Sequence, residues 1–266
     1  MENPHSQYST IALGPDSVRV RFRDQGEGVP ILYLHGWGTS LDWFLPLMDS
    51  LLPSGRHLLL DFPGFGESER PQSAWGTEAY AELIRRFLVD RQAASCIVIG
   101  HSFGGRVAIR LAHRYPDLVK GLVLIAAAGL RRKVPFWKRL KIQTIRKVAN
   151  GAKAILPGQL GQRIKDGLYA KIASRDYLQA GAMRPIFVKV VNEDLAPLLQ
   201  KIQTPSLLLW GSDDTETPPS MGKQMKEYLA HARYLELPGF DHYTILSRAQ
   251  HQVGYQIQQF MKGIVA

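Results

Sequence analysis

Short apolar runs alternate along this chain with longer stretches of helical spacing. Val18, Val20 and Phe22 alternate with Arg19, Arg21 and Arg23, the period-two pattern of a strand with one face inward and its arginines toward water. Gly14-Pro15-Asp16 just before it predicts a hairpin with the Tyr8 to Leu13 stretch. Ile31 to Leu34, Leu58 to Leu60, Cys96 to Ile99, Leu122 to Ile125 and Leu207 to Trp210 are short continuous apolar runs. They predict strands covered on both faces. Tyr234 to Leu237 is a further candidate. Between them, Thr77 opens a helix through Ala81, Leu83, Ile84, Phe87 and Leu88, with Glu78 near the positive end of the helix dipole. A second helix is predicted over Gly105 to Tyr115, carrying Val107, Ile109 and Leu111 and stopped by Pro116. Strands alternating with amphipathic helices imply βαβ units. The predicted class is α/β, a mostly parallel β-sheet flanked by helices.

The alternation breaks after Ala128. From Gly129 to Ala196 the spacing is helical, with scattered Gly and Pro, and the strand pattern resumes at Leu207. This predicts a core made of 1–128 and 197–266, interrupted by a small helical cap over 129–196. Within the cap, Met183, Phe187 and Val191 lie at i, i+4 and i+8 and read as packing positions on one helix face. Charge sharpens the division. The chain of 266 residues carries +10, but Arg131 to Lys189 alone holds fifteen Lys or Arg against two acids, Asp166 and Asp176. The cap is therefore strongly basic and the rest slightly acidic. No recognition motif accompanies that charge, so no nucleic-acid partner is expected. With 45% hydrophobic and 21% charged residues, the composition is that of an ordinary globular protein. The single cysteine, Cys96, excludes an internal disulfide and reads as a buried core residue. Met1 to Thr10 is polar, without the apolar stretch of a signal peptide. A cytoplasmic location is expected, with peripheral membrane contact through the cap left open.

The candidate chemistry centres on Gly100-His101-Ser102-Phe103-Gly104. It follows a predicted strand and opens a predicted helix. A serine on so tight a turn needs small residues two positions to either side, and the helix N-terminus behind it offers partial positive charge to an anion. Eight histidines are available as a base. His35 and His101 flank motif glycines and read as structural. His57, His113 and His231 fall at element edges and read as surface residues, and His251 lies in the last helix. His242 follows the last strand in a Pro238-Gly239 turn. Asp213 and Asp214 both follow the Leu207 to Trp210 strand. No Cys/His cluster has metal-ligand spacing and no Gly-rich loop suits a phosphate, so no metal and no cofactor are expected.

Four features, in chain order, resemble the α/β-hydrolase superfamily. They are His35-Gly36-Trp37-Gly38, then Asp61-Phe62-Pro63-Gly64-Phe65-Gly66-Glu67-Ser68, then the turn at Ser102, and finally Gly211-Ser212-Asp213-Asp214 with Gly239-Phe240-Asp241-His242. The resemblance covers both ends of the chain, all but the cap. It implies Ser102 as nucleophile and His242 as base. The family pattern G-x-x-D-x-x-x-P, met by Gly211 and Pro218, implies Asp214 as the acid, with Asp213 the alternative. The backbone N–H groups of Trp37 and Phe103 are the implied oxyanion hole. The implied activity is that of a carboxylesterase-like serine hydrolase, cleaving an ester or similar acyl bond through an acyl-enzyme. Two alternatives share the fold: a carbon–carbon bond hydrolase with the same triad, and a ligand-binding, receptor-like member. The implied partner is a small-molecule acyl substrate. The basic cap suits an anionic substrate, an acidic protein such as an acyl carrier protein, an anionic membrane surface, or simply water. The short motifs also look like those of pimeloyl-carrier-protein methyl ester esterases.

Overall fold

The computed structural model describes residues 6–131, 144, 151 and 175–265. Among these, eight strands form one sheet: β1 (Gln7–Leu13), β2 (Asp16–Gln25), β3 (Pro30–Leu34), β4 (Arg56–Leu60), β5 (Cys96–His101), β6 (Val119–Ile125), β7 (Ser206–Gly211) and β8 (Ala232–Leu237). Their order is β1-β2-β4-β3-β5-β6-β7-β8. The β1–β2 hairpin and the β2–β4 pair are antiparallel, and the other pairs are parallel. The sheet is thus mostly parallel, as the apolar runs predicted. From β3 the chain steps to β4 on one side, then crosses to β5 on the other. That reversal opens a crevice beyond the carboxyl ends of β3 and β5, the usual ligand position in such sheets.

The helices are α1 (Leu45–Leu51), α2 (Thr77–Asp90), α3 (Phe103–Arg114), α4 (Arg175–Gln179), α5 (Arg184–Asn192), α6 (Ala196–Leu199), α7 (Pro219–Tyr228), α8 (Thr244–Ser247) and α9 (Gln250–Val265). One face of the sheet, with Ile31, Tyr33, Ile97, Ile99, Val123 and Leu209, is buried with apolar residues of α1, α8 and α9 such as Leu47, Leu246 and Ile257. The other face carries α2 and α3, which pack on each other. The α3 helix starts at Phe103 rather than Gly105. Gly104 and Gly105 lie within the helix, and glycine is required at both because their backbones pack directly on β3 and Ala127. The Glu193 carboxylate accepts the Thr77 N–H at the start of α2 (3.0 Å) and pairs with Arg110 (3.1 Å).

Two surface expectations are corrected. Arg21, on the nominally outward face of β2, is 4% exposed. The 61–69 loop folds over it, and its guanidinium reaches Asp42 (2.8 Å), Asp61 (3.4 Å) and Glu67 (3.4 Å). His57 is fully buried, with Nδ1 2.8 Å from the Tyr33 hydroxyl. It sits inside β4, which begins at Arg56, so it is no edge residue. Cys96 is buried as expected.

The chain divides into two compact units, Met1–Leu130 with Lys189–Ala266, and Arg131–Val188. In the larger unit the Leu195 N–H donates to the Gly129 carbonyl (2.9 Å), joining the two ends of the interruption. In the smaller unit Arg184 lies over the Tyr177 ring, and Tyr177 meets Phe187 edge-on. Met183 and Phe187 are buried, but Val191 is 40% exposed. Met183 lies in a 3-10 turn ahead of α5, so it does not share that helix's phase. Burial on α5 follows Ile186, Phe187 and Val190 instead. Most of the basic segment Arg131 to Lys189, namely 132–143, 145–150 and 152–174, falls outside the described residues. Among the described residues no helix is long and apolar enough to cross a membrane.

Candidate active site

The turn from β5 into α3 holds Ser102 at φ +52°, ψ −112°, a conformation non-glycine residues rarely adopt and one that clusters at functional sites. Neighbouring backbone fixes it there. The Ser102 N–H donates to Ile125 O (3.2 Å), and its carbonyl accepts the N–H groups of Gly105 (3.1 Å) and Ala128 (3.0 Å). The flanking glycines are required by space. A Cβ on Gly104 would lie 1.9 Å from the Leu34 carbonyl oxygen, and one on Gly100 would lie 2.6 Å from Gly104 O.

Two loops at the ends of β7 and β8 meet this turn. A Cβ on Gly211 would lie 2.1 Å from Phe240 O, and the Asp213 N–H donates to that same carbonyl (3.0 Å), so the loops are laced together. His242 then lies with Nε2 2.9 Å from Ser102 Oγ and Nδ1 2.8 Å from Asp214 Oδ2. Partners fix the tautomer: Nδ1–H donates to the carboxylate, and Nε2 is left to accept from the serine hydroxyl. Asp214 and His242 are buried. Asp213 is exposed and accepts from the Ser212 hydroxyl instead. Asp241 is also exposed; its carboxylate accepts the N–H groups of Tyr243 and Thr244 and so shapes the His242 turn.

Trp37 and Phe103 face each other across the crevice, their rings edge to face with centroids 5.6 Å apart. Phe65, Phe62 and Tyr80 extend this buried aromatic cluster. Phe103 opens α3, so its N–H has no partner within the helix. His35 braces the loop that carries Trp37: Nδ1–H donates to Gly36 O (2.7 Å), and Nε2 accepts the Phe62 N–H (2.9 Å). Full burial lowers its pKa to about 4, so it stays neutral and keeps that acceptor. Asp61 ties the next loop, accepting from the N–H groups of Leu41 (2.6 Å) and Glu67 (2.9 Å). Burial raises its pKa, against those two N–H groups and Arg21. Gly66, at φ +54°, leaves no room for a Cβ beside that carboxylate. The residues of the Asp61 to Ser68 motif thus form a knot beneath the crevice.

A sequence profile of the Alpha/beta hydrolase family matches residues 31–253. The chain belongs to that family. Among its relatives is a pimeloyl-[acyl-carrier protein] methyl ester esterase of Shewanella woodyi, 29% identical over 84% of this chain and 90% of that one. Lipase 3 of a Moraxella species is 26% identical over 88% of this chain and 77% of its own length. Such names are consistent with a hydrolase of carboxylic esters. The fold is also that of a membrane phospholipase A described as a bacterial virulence factor, with a TM-score of 0.74 at 22% identity, covering 98% of this chain and 87% of that one.

One residue beside this site, His101, was read in the sequence as structural, and another, Thr217, went unread. His101 is fully buried against His242, rings 4.8 Å apart, and its Nε2–H donates to the His242 carbonyl (2.9 Å). Burial, with the adjacent His242, lowers its pKa to about 3, so it adds no charge beside the base. Thr217 stands behind Asp214, with its hydroxyl 2.8 Å from Oδ2. Its N–H also donates to Asp214 Oδ1 (2.8 Å), a contact three residues on that nothing in the sequence singles out.

Proposed function

We propose that this chain hydrolyses a carboxylic ester, or a similar acyl bond, with Ser102 as nucleophile, His242 as general base and Asp214 as the acid that orients the base. The observation that carries the reading is the unbroken line Ser102 Oγ to His242 Nε2 (2.9 Å) and His242 Nδ1 to Asp214 Oδ2 (2.8 Å), on a serine held at φ +52°. The chemistry follows from the atoms. Ser102 Oγ attacks the acyl carbon as its proton passes to His242 Nε2. The imidazolium that forms is stabilised by Asp214 and returns the proton to the leaving alkoxide. Water, deprotonated in turn by His242, then releases the acid. The N–H groups of Trp37 and Phe103 are the donors we assign to the oxyanion, a term usually worth about 10²–10³ in kcat. The segment 129–196 serves as a cap that selects the acyl group, and its positive charge favours anionic acyl substrates. Kinship to an esterase of a carrier-protein ester supports that preference.

Labelling with a fluorophosphonate probe, alongside turnover of p-nitrophenyl esters of increasing length, tests the reading. The wild-type protein is expected to label and turn over. Ser102→Ala is expected to lose labelling and about 10⁶-fold in kcat while keeping its melting temperature. Labelling that survives Ser102→Ala would overturn the assignment. Turnover of a diketone but no ester would favour carbon–carbon bond hydrolysis, and labelling without turnover would favour a receptor-like role.

A further inference from the structure

We propose that Thr217 is a positioning residue, which holds the Asp214 carboxylate where His242 needs it and ties it to β7. The inference rests on the Ser102–His242–Asp214 reading above. Among the described residues, Asp214 takes its side-chain hydrogen bonds from two residues only. Oδ1 accepts the Thr217 N–H (2.8 Å); Oδ2 accepts the Thr217 hydroxyl (2.8 Å) and His242 Nδ1–H (2.8 Å). Thr217 therefore grips both carboxylate oxygens, while the histidine uses one.

Thr217 is itself anchored. Its carbonyl accepts the indole N–H of Trp210 (2.7 Å), a fully buried residue of β7. Its hydroxyl lies 2.9 Å from the carbonyl of Ala126, the residue after β6. That hydroxyl has one proton and two acceptors in reach, and its oxygen also lies 3.1 Å from His242 Nδ1, whose N–H is directed at Oδ2. The ionised carboxylate is the stronger acceptor, since charge-assisted bonds are roughly twice as strong as neutral ones. The carboxylate is thus referenced to β7, through Trp210, by a residue that is 5% exposed. With the hydroxyl removed, the Thr217 N–H would still hold Oδ1. Oδ2 would keep only the imidazole it is meant to orient, leaving the acid free to pivot.

The test compares steady-state turnover of p-nitrophenyl acetate by wild type, Thr217→Val, Thr217→Ser and Thr217→Ala. Thr217→Val keeps the branched shape and is expected to lose about ten- to a hundredfold in kcat, the scale of a small misplacement near the chemistry. KM should stay within about twofold of wild type, because uniform substrate binding is untouched. Thr217→Ser keeps the hydroxyl and should recover most of the rate. In an Asp214→Asn background the Thr217→Val change should cost little more, since a residue acting through Asp214 is not additive with it. If Thr217→Val does not fold, Thr217→Ala removes the same hydroxyl and takes its place in every comparison. Wild-type kcat in the hydroxyl-free variant, a deficit shared by Thr217→Ser, or full additivity with Asp214→Asn would each overturn the inference. Probe labelling separates this from the broader reading. Labelling of Ser102→Ala would refute the triad, whereas its loss together with a wild-type Thr217→Val would refute the role of Thr217 alone.

Discussion

Asp214→Asn replaces one carboxylate oxygen by an NH₂ group, and the structure says what either amide orientation must do. With the NH₂ at the Oδ2 position, it faces His242 Nδ1 and the Thr217 hydroxyl, both now 2.8 Å away. Nδ1 must then present its lone pair, so the imidazole proton moves to Nε2 and Ser102 loses its base. With the amide turned over, the NH₂ replaces Oδ1 and meets the Thr217 N–H, also at 2.8 Å. Two donors then oppose each other in a buried position, a loss of about 2–4 kcal/mol counting both unsatisfied groups. The inactive orientation is therefore favoured by roughly 10²–10³, and the active minority has lost the carboxylate charge as well. Together these give an expected fall in kcat of about 10³–10⁴, or roughly 4–5.5 kcal/mol of transition-state stabilisation. Asp213→Asn, at an exposed residue hydrogen-bonded to Ser212, should stay within about threefold of wild type, as surface changes usually do. Ester hydrolysis by both purified variants, with circular dichroism to verify folding, decides the matter. Wild-type-like turnover in Asp214→Asn, or a greater loss in Asp213→Asn, would refute the reasoning.

Gly104→Ala places a methyl 1.9 Å from a strand carbonyl and should destabilise the fold by about 3 kcal/mol or more, read as a lower urea midpoint; an unchanged midpoint would contradict the close packing described. Arg21→Met leaves Asp61 buried without its cation and should cost about 3–5 kcal/mol, against near-neutral effects for Arg23→Met. His35 and His101, with pKa values lowered to about 4 and 3, are neutral when folded but take up protons when unfolded. The unfolded chain therefore binds more protons between the ordinary histidine pKa and those values, so stability present above about pH 6.5 is lost as pH falls. The expected slope is about 2–3 kcal/mol per pH unit near pH 5, measurable by urea titration at pH 7, 6 and 5; a flat profile would show that both rings are free to charge. For the basic segment Arg131 to Lys189, raising salt from about 0.05 M to about 0.5 M should slow hydrolysis of an anionic ester and spare a matched neutral one. Equal responses would leave that charge as solvated surface.

Much of this architecture was legible because its signals are backbone constraints. Gly100 and Gly104 are glycine since strand and helix touch there, and Gly66 since the Asp61 carboxylate occupies the space. Such contacts print themselves on the sequence as fixed spacings. The strands were legible for a related reason: β3 to β7 are buried on both faces, which leaves little choice but continuous apolar runs. What escaped was decided by partners far along the chain. The alternation in β2 gives the direction of Arg21, but a loop some forty residues later covers it and supplies Asp61. His57 looked like an edge because the apolar run starts only at Leu58, whereas the strand begins at Arg56, which pairs with Asp24 on the neighbouring strand. Val191 kept helical spacing with Phe187, yet the buried stripe of its helix runs through Ile186 and Val190. Thr217 is chemically plain, and its interest comes only from the carboxylate it faces.

The hydrogen bond from the Leu195 N–H to the Gly129 carbonyl makes the interrupting segment a removable module. Its exit and re-entry points are already clasped, with Glu193 of the re-entering chain bound to Thr77 and Arg110, so only 131–188 lies outside the larger unit. Closing a longer or shorter loop at a fixed pair of ends changes the entropy only slowly, by about 0.6 kcal/mol per doubling of length. Segments of very different size and charge can therefore be exchanged at this junction with little effect on the scaffold. For the engineer, a short Gly-Ser bridge from Leu130 to Lys189 is the corresponding graft point, since it keeps Glu193 on Thr77 and Arg110.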